Sequence, residues 1–366
     1  MNKSIICLVA GSLTLAALSP AALAAAPPRH PAVQSSLDVL TEKDGMPGAL
    51  AYAVRRDGTT LTVRSGTWKK GSGEPMIGPE GRFRIASMTK PIMAAAILRL
   101  VEQGRVDLDA TVEHYLPGVV RGTGDGAAID GRKITVRMLL QQTSGLPEFV
   151  DAVDWNNLPD SYLDVALGRK PSKRGEFAYA NTNYVVLGLI MGKVTGKDFR
   201  EASRDLVLKP YGMRSTYWPA KGDTGLKGPH ARTYGIYPID PDKGVVDLTS
   251  LLPTYEIGAS GCLVSSPEDL NRFWKRAPLD RMGRSTVKIR QEGWPKGARY
   301  GFGVARTKTS CGSTAWFHGG DMPGASTVSG RDAAGRAATV YVTSVVSTPK
   351  QREHLLEALD ATLCAR

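Results

Sequence analysis

The stretch RFRIASMTKPIMAAAILRLVEQG, Arg82 to Gly104, passes from an apolar lead-in through a serine to a long apolar run. Met93, Ile97, Leu100 and Val101 fall at i, i+4, i+7 and i+8, the spacing of a helix with one buried face. Pro91 suits the first turn of such a helix and not its interior, and Gly104 suits its end. Ser87 is then at the helix start, with Lys90 one turn on along the same face. Two readings follow. A serine at a helix start can cap it. It can also be a nucleophile: the positive end of the helix stabilises an oxyanion, and a desolvated lysine serves as its base. Ser-x-x-Lys occurs also at Ser285–Lys288 and Ser347–Lys350, but only Ser87–Lys90 joins an apolar lead-in to a long helix.

Outward from this helix, strand and helix signals are segregated. After a short helix expected around Ser36 to Lys43, GALAYAVRRDGTTLTVRSG (Gly48 to Gly66) alternates as a hairpin turning at Asp57-Gly58. From about Asp107 to Leu252 the pattern is helical and loop-rich, in ITVRMLLQQ, SYLDVALG, TNYVVLGLIMGKVTG and DFREASRDLVL. YGFGVAR, TAWFHGG, ASTVSGRD and RAATVYVTSVV read as late strands, and QREHLLEALDATLC as a closing helix. Strands at both ends of the chain must share a sheet. The expected fold is α+β: residues 25–105 and 255–366 form one domain around an antiparallel sheet flanked by helices, and residues 106–254 form an inserted, mainly helical domain. The sequence shows no internal repeat.

The chain opens MNKSIICLVAGSLTLAALSPAALAAAPP. Lys3, the apolar run from Ile5 to Leu18 and the small residues Ala22 and Ala24 predict a signal peptide over residues 1–24. The run is shorter than the roughly 20 residues that span a bilayer, and no later run suffices. An exported, periplasmic or secreted bacterial protein is expected. The formal net charge is +12, but the basic residues are scattered without the concentrated face that nucleic acid requires, so no nucleic-acid partner is expected. Export leaves Cys262, Cys311 and Cys364. Cys311 precedes a late strand and Cys364 ends the last helix, so pairing them would tie that helix to the sheet, with a chain-entropy effect of roughly 4 kcal/mol.

Two further motifs bear on Ser87. Tyr179-Ala180-Asn181 stands before the helix in GEFAYANTNYVVLGLIMGKVTG, and His318-Gly319-Gly320 ends a strand in TAWFHGGDMPG. With Ser87-Met88-Thr89-Lys90 ahead of them, this order resembles the penicillin-recognising serine hydrolases, in the branch of class C β-lactamases, DD-carboxypeptidases and related esterases. LLQQTSGLPEF (Leu139 to Phe149), GASGCLVSSPEDLNRF (Gly258 to Phe273) and DLDATVEHYLPG (Asp107 to Gly118) are similar to that family's connecting segments. The resemblance thus covers nearly the whole chain after the leader. It implies a β-lactamase/DD-peptidase-like fold, with Ser87 forming an acyl-enzyme, Lys90 holding the site electropositive and Tyr179 relaying protons. Since free tyrosine has a pKa near 10, Lys90 must either favour its phenolate or act with it as one coupled unit. The resemblance further implies that Asn181 donates to the substrate's acyl side, although an Asx cap is its alternative reading. His318 would stand in for the family's third-motif cation and adjust Tyr179 and the leaving group. Gly319 and Gly320 would let substrate approach, and the N–H groups of Ser87 and Asp321 would form the oxyanion hole.

No Gly-x-Ser-x-Gly elbow, His-Glu-x-x-His pair or phosphate-binding loop is present, so neither metal nor cofactor is expected. The substrate is less constrained. The family's carboxypeptidases hold a terminal carboxylate with a strand arginine, and the matching position here is Ala305, with Arg306 adjacent and expected to point away unless a bulge turns it inward. Gly319 and Asp321 also depart from that pattern. A D-alanyl-D-alanine carboxypeptidase-like hydrolase of peptide, amide or ester bonds, acting on a small molecule or a peptidoglycan stem peptide, therefore competes with an esterase or D-amino-acid amidase. The other class is a non-catalytic peptidoglycan- or penicillin-binding protein, which would have no use for the proton-transfer set.

Overall fold

The hairpin at Asp57-Gly58 forms and joins strands from the far end of the chain. The computed structural model describes residues 30–365 apart from 155–156, 237–241, 243 and 251–254; the leader expected over residues 1–24 lies outside them. One sheet has eight strands: β1 (Gly48–Val54), β2 (Thr60–Gly66), β3 (Val287–Lys288), β4 (Arg299–Tyr300), β5 (Ala305–Lys308), β6 (Thr314–Met322), β7 (Ala325–Asp332) and β8 (Ala337–Val342). Their order is β2-β1-β8-β7-β6-β5-β4-β3 and every pairing is antiparallel. The first and last strands of this sheet in chain order thus pair with each other, one strand in from the β2 edge, with Leu50 opposite Tyr341. The fold is α+β, as expected.

Helix α1 (Pro31–Asp38) starts earlier than expected, because Pro31 fixes the first turn, and it continues as a π-helical turn through Lys43. With α5 (Pro349–Cys364) it covers one face of the sheet, where Leu37, Leu355 and Leu359 pack on Ala51, Ala338 and Val340. On the other side are α4 (Pro267–Arg276), whose Trp274 Nε1 donates to Ser329 Oγ of β7 at 2.8 Å, and α2 (Thr89–Glu102). The burial of α2 exceeds the one-sided stripe, since every residue from Thr89 to Leu98 is buried, wedged between the sheet and the helical layer that contains α3 (Thr182–Thr195). Full burial of such aliphatic side chains contributes about 1.5 to 3 kcal/mol each, which anchors the start of α2 firmly.

Two strand expectations change. YGFGVAR is interrupted between Tyr300 and Ala305, since Gly303 has φ +72° and its missing Cβ would lie 2.7 Å from Ala94 Cβ. β6 does not end at His318-Gly319-Gly320 but runs on to Met322, paired with β7 throughout. On its other edge β5 stops opposite Phe317, so the stretch from His318 to Met322 has no β5 partner. Cys311 and Cys364 are joined in a disulfide that ties α5 to the β5–β6 turn, while Cys262 is buried outside it. Among the described residues no helix is long and apolar enough to cross a membrane.

Candidate active site

Ser87 occupies a short 3-10 turn, Ala86–Met88, that leads into α2. The residue before it, Ala86, has φ +46°, a left-handed conformation that costs a non-glycine residue about 1 to 3 kcal/mol and concentrates at functional sites. Ser87 does not cap the helix, for the N-cap position falls on Met88 and carries no side-chain bond. Its Oγ instead lies 2.9 Å from Lys90 Nζ, and Ser87 and Tyr179 line the same cavity.

Lys90 is fully buried. Nζ also donates to Asn181 Oδ1 at 2.6 Å and to the Ser260 carbonyl at 2.7 Å. Burial draws its pKa down from 10.5 to about 7, and the negative charge of Glu148 opposes part of that shift. The three contacts determine what deprotonation does. Asn181 Oδ1 and Ser260 O only accept, so they take two hydrogens in either charge state. The third proton is the one facing Ser87. When it leaves, the Nζ lone pair points at the serine hydroxyl, an arrangement that can accept the hydroxyl proton.

Tyr179 is pushed well above its ordinary value of 10, first by burial and then by nearby Tyr300, against a smaller lowering from Ser87. It is therefore a neutral hydroxyl at working pH. Of the two expected arrangements, a phenolate held by Lys90 is disfavoured, and a coupled unit in which Lys90 takes the proton remains. Lys90 Nζ sits 5.0 Å from the centre of the tyrosine ring.

The Tyr179–Asn181 loop is set by two residues that sequence reasoning passed over. Gln142, buried and at φ +60°, accepts from Ala178 N–H through its carbonyl at 2.9 Å, and from Ala180 N–H and Asn183 Nδ2 through Oε1 at 3.0 and 2.5 Å. Glu148 Oε2 accepts from Asn181 N–H at 2.8 Å and from Asn181 Nδ2 at 3.0 Å. Asn181 therefore makes no side-chain cap on α3; its amide bridges Glu148 and Lys90. Both Gln142 and Glu148 lie in LLQQTSGLPEF, whose motif resemblance was the available signal.

His318 is 2 % exposed. Nδ1 is 2.5 Å from the Gly319 carbonyl, and Nε2 is 3.0 Å from the Tyr300 hydroxyl. A carbonyl only accepts, so Nδ1 carries the hydrogen and Nε2 accepts from Tyr300. Burial, with Lys90 nearby, lowers its pKa to about 3. It is thus neutral, unlike the cation whose position it takes. Tyr300→Phe should release Nε2 and lower kcat about tenfold, and nitrogen NMR of the wild type should show Nδ1–H with no protonation down to pH 5. A charged His318 at pH 6 would contradict this.

Gly320 backs onto the turn that carries Ser87, where an added Cβ would lie 2.2 Å from Ile85 O and 3.1 Å from Met88 N. This contact sets the Asp321 backbone beside Ser87. The Asp321 carboxylate pairs with Arg352 of α5 at 2.6 Å and accepts from Ser326 Oγ at 2.6 Å. Ser87, Tyr179, His318, Gly319 and Asp321 line one cavity of about 330 Å³ with Trp294 and Arg352. Arg306 sits in regular register opposite Trp316, with no bulge, and is not among the lining residues. Ala305 is fully buried. Arg352 was missed because a helix residue some 265 positions from the serine carries no local pattern. Among the described residues no cluster of His, Cys, Asp or Glu could hold a metal ion.

Residues 33–363 match the family model described as Beta-lactamase. A D-stereospecific amidohydrolase from a Streptomyces species is 30% identical with a TM-score of 0.75, covering 91% of this chain and 98% of that one. The D-amino acid amidase of Ochrobactrum anthropi SV3 is 25% identical at the same TM-score, with 91% and 97% covered. Among curated relatives, protein flp of Staphylococcus aureus (strain MW2) is 29% identical over 195 residues, which span 50% of this chain and 38% of flp. Penicillin-binding protein 4 of Amycolatopsis lactamdurans is 28% identical over 191 residues, 51% of this chain and 49% of that protein. The matched family model spans the whole sheet, α2 and the cavity around Ser87, and the chain belongs to the beta-lactamase family.

Proposed function

We propose that this protein is an exported serine hydrolase that forms an acyl-enzyme on Ser87 and releases neutral amines or alcohols from D-configured acyl donors, a D-amino acid amidase or esterase rather than a D-alanyl-D-alanine carboxypeptidase. Lys90 takes the Ser87 proton as Oγ attacks the carbonyl carbon. The N–H groups of Ser87 and Asp321 hold the oxyanion. Tyr179 passes the proton to the leaving nitrogen as the C–N bond breaks. Water then enters along the same path, breaks the ester to Ser87 and returns the proton. Asn181 faces the acyl half, and Arg352 the leaving group. D-configuration is supported by the two amidase relatives, and export by the leader pattern together with the Cys311–Cys364 disulfide.

The observation that carries the substrate class is the Asp321–Arg352 pair. Arg352 is the one arginine or lysine among the described residues lining the cavity, and Asp321 already neutralises it. With His318 neutral as well, no unpaired cation among the described residues lines the cavity to hold a free carboxylate. A charge-assisted pair of that kind is worth about 1.5 to 3 kcal/mol, or roughly tenfold to more than a hundredfold in rate. Wild-type kcat/KM should therefore favour D-phenylalanine amide and short aryl esters over a peptide ending in D-Ala-D-Ala by at least about tenfold, with cephalosporins acylating slowly. Asp321→Asn should free Arg352 and narrow the gap about tenfold. A wild type that prefers the free-carboxylate peptide, with the preference lost in Arg352→Ala, would establish the carboxypeptidase reading instead. A non-catalytic binding protein is disfavoured by the intact set of Ser87, Lys90 and Tyr179.

A further inference from the structure

The sheet face beneath α5 is open at one end. Between α5 and strands β5 and β6 runs a groove of about 540 Å³, floored by Ala315 and Phe317 and walled by Thr307, Leu356 and Leu359. Alternate residues of β6 face the same side. Asp321 meets Arg352 there, and a Cβ on Gly319 would lie 3.8 Å from Arg352 Nη1, so residues 315 to 321 form one continuous track along α5. The groove adjoins the catalytic cavity, since Trp294, Phe317, Arg352 and Leu356 line both. Three strand residues, about 10 Å, separate Gly320 at the nucleophile turn from Phe317. An extended peptide covers that distance in about three residues.

We infer that this groove is a leaving-group subsite, which takes an apolar side chain about three residues beyond the scissile bond of a peptide substrate. The inference rests on the assignment of Arg352 to the leaving-group side. The acyl half is directed elsewhere, toward Lys90, Asn181 and Glu148, which bond to one another on the way to α3. The chemistry of the groove selects the occupant. Its floor is apolar, whereas the rim carries both signs, Lys296 and Lys308 against Glu353 and Glu357. That combination suits a neutral backbone with an aliphatic or aromatic side chain, and not an anionic polymer.

The test compares kcat/KM for D-Phe-Gly-Gly-Leu amide with that for D-Phe-Gly-Gly-Gly amide. The leucine peptide should be favoured about tenfold or more. Thr307→Trp and Glu357→Trp, on separate elements, fill the groove and should each bring the ratio close to one; Glu357 is exposed, so its replacement keeps the test open should Thr307→Trp not fold. A second arm removes dependence on the acyl group. An acyl-enzyme made from an activated aryl ester is offered Gly-Gly-Leu amide or Gly-Gly-Gly amide as acceptor, so that a C–N bond forms as the ester to Ser87 breaks and the amine proton passes to the serine. A tenfold preference for the leucine acceptor supports the subsite even if D-aminoacyl amides prove not to be substrates, an outcome that would sink only the proposed function. Equal use of the two in wild type, or a preference that both tryptophan variants leave intact, overturns the inference.

Discussion

Ser87→Ala should lower the hydrolysis of D-phenylalanine amide by at least about 10⁴-fold, the scale on which loss of a nucleophile exposes the residual catalysis of the remaining site. The fold should survive. Ser87 caps no helix and is only half-buried, and its loss removes one of the three acceptors of Lys90 Nζ, worth about 1 kcal/mol. A thermal melt within a few degrees of wild type, with turnover abolished, separates chemistry from collapse. Wild-type rates in this variant would sink the assignment.

Lys90→Arg should be nearly as inactive, down about 10³-fold or more, for a different reason. Arginine keeps a cation beside Ser87 but does not deprotonate at any working pH, so electropositivity is retained while the base is lost. The sign of the pH dependence follows from the lowered lysine pKa of about 7. Below that value Nζ is charged and its third proton faces Ser87; above it the lone pair is free. Wild-type kcat/KM should rise with pH through a midpoint near 7 and then level. Tyr179, raised far above 10, and His318, lowered to about 3, contribute no limb between pH 5 and 9. Glu148→Gln removes the negative charge that opposes the lowering and should move the midpoint down. Lys90→Ala is a weaker test, since it leaves Asn181 Oδ1 and the Ser260 carbonyl without their buried donor. A midpoint near 7 that persists in the residual activity of Lys90→Arg would assign the limb to another group.

Much of this site was legible because its parts are local. Ser87 and Lys90 share one turn, Tyr179 and Asn181 are two residues apart, and the glycines follow His318 directly, so each piece reads as a short motif, and the order of the motifs carried the family resemblance that implies they face one another. The strands were legible too, because alternation and turns at Asp57-Gly58 leave a period-2 trace. What could not be read depends on contacts between distant segments. His318 looks like a cation from its place in the motif, and only the Tyr300 hydroxyl and its own following carbonyl reveal that both ring nitrogens are occupied. Ala305 and Arg306 marked where a carboxylate clamp was missing, but the arginine that does reach the cavity comes from α5 and arrives already paired. The interruption within YGFG had the same origin: Gly303 yields to the packing of α2 and α3 against it, which no pattern within those four residues records.

The most direct test of the central claim is the site of the covalent intermediate. Wild-type protein mixed with an activated D-phenylalanyl aryl ester and quenched within the first turnovers should gain the mass of one acyl group, and peptide mapping should place that group on Ser87. The same experiment with Lys90→Arg should show little or no adduct, because the hydroxyl then lacks its base. An acyl group found on another residue, or rapid turnover with no adduct at any quench time at which Ser87→Ala also turns over, would contradict the account.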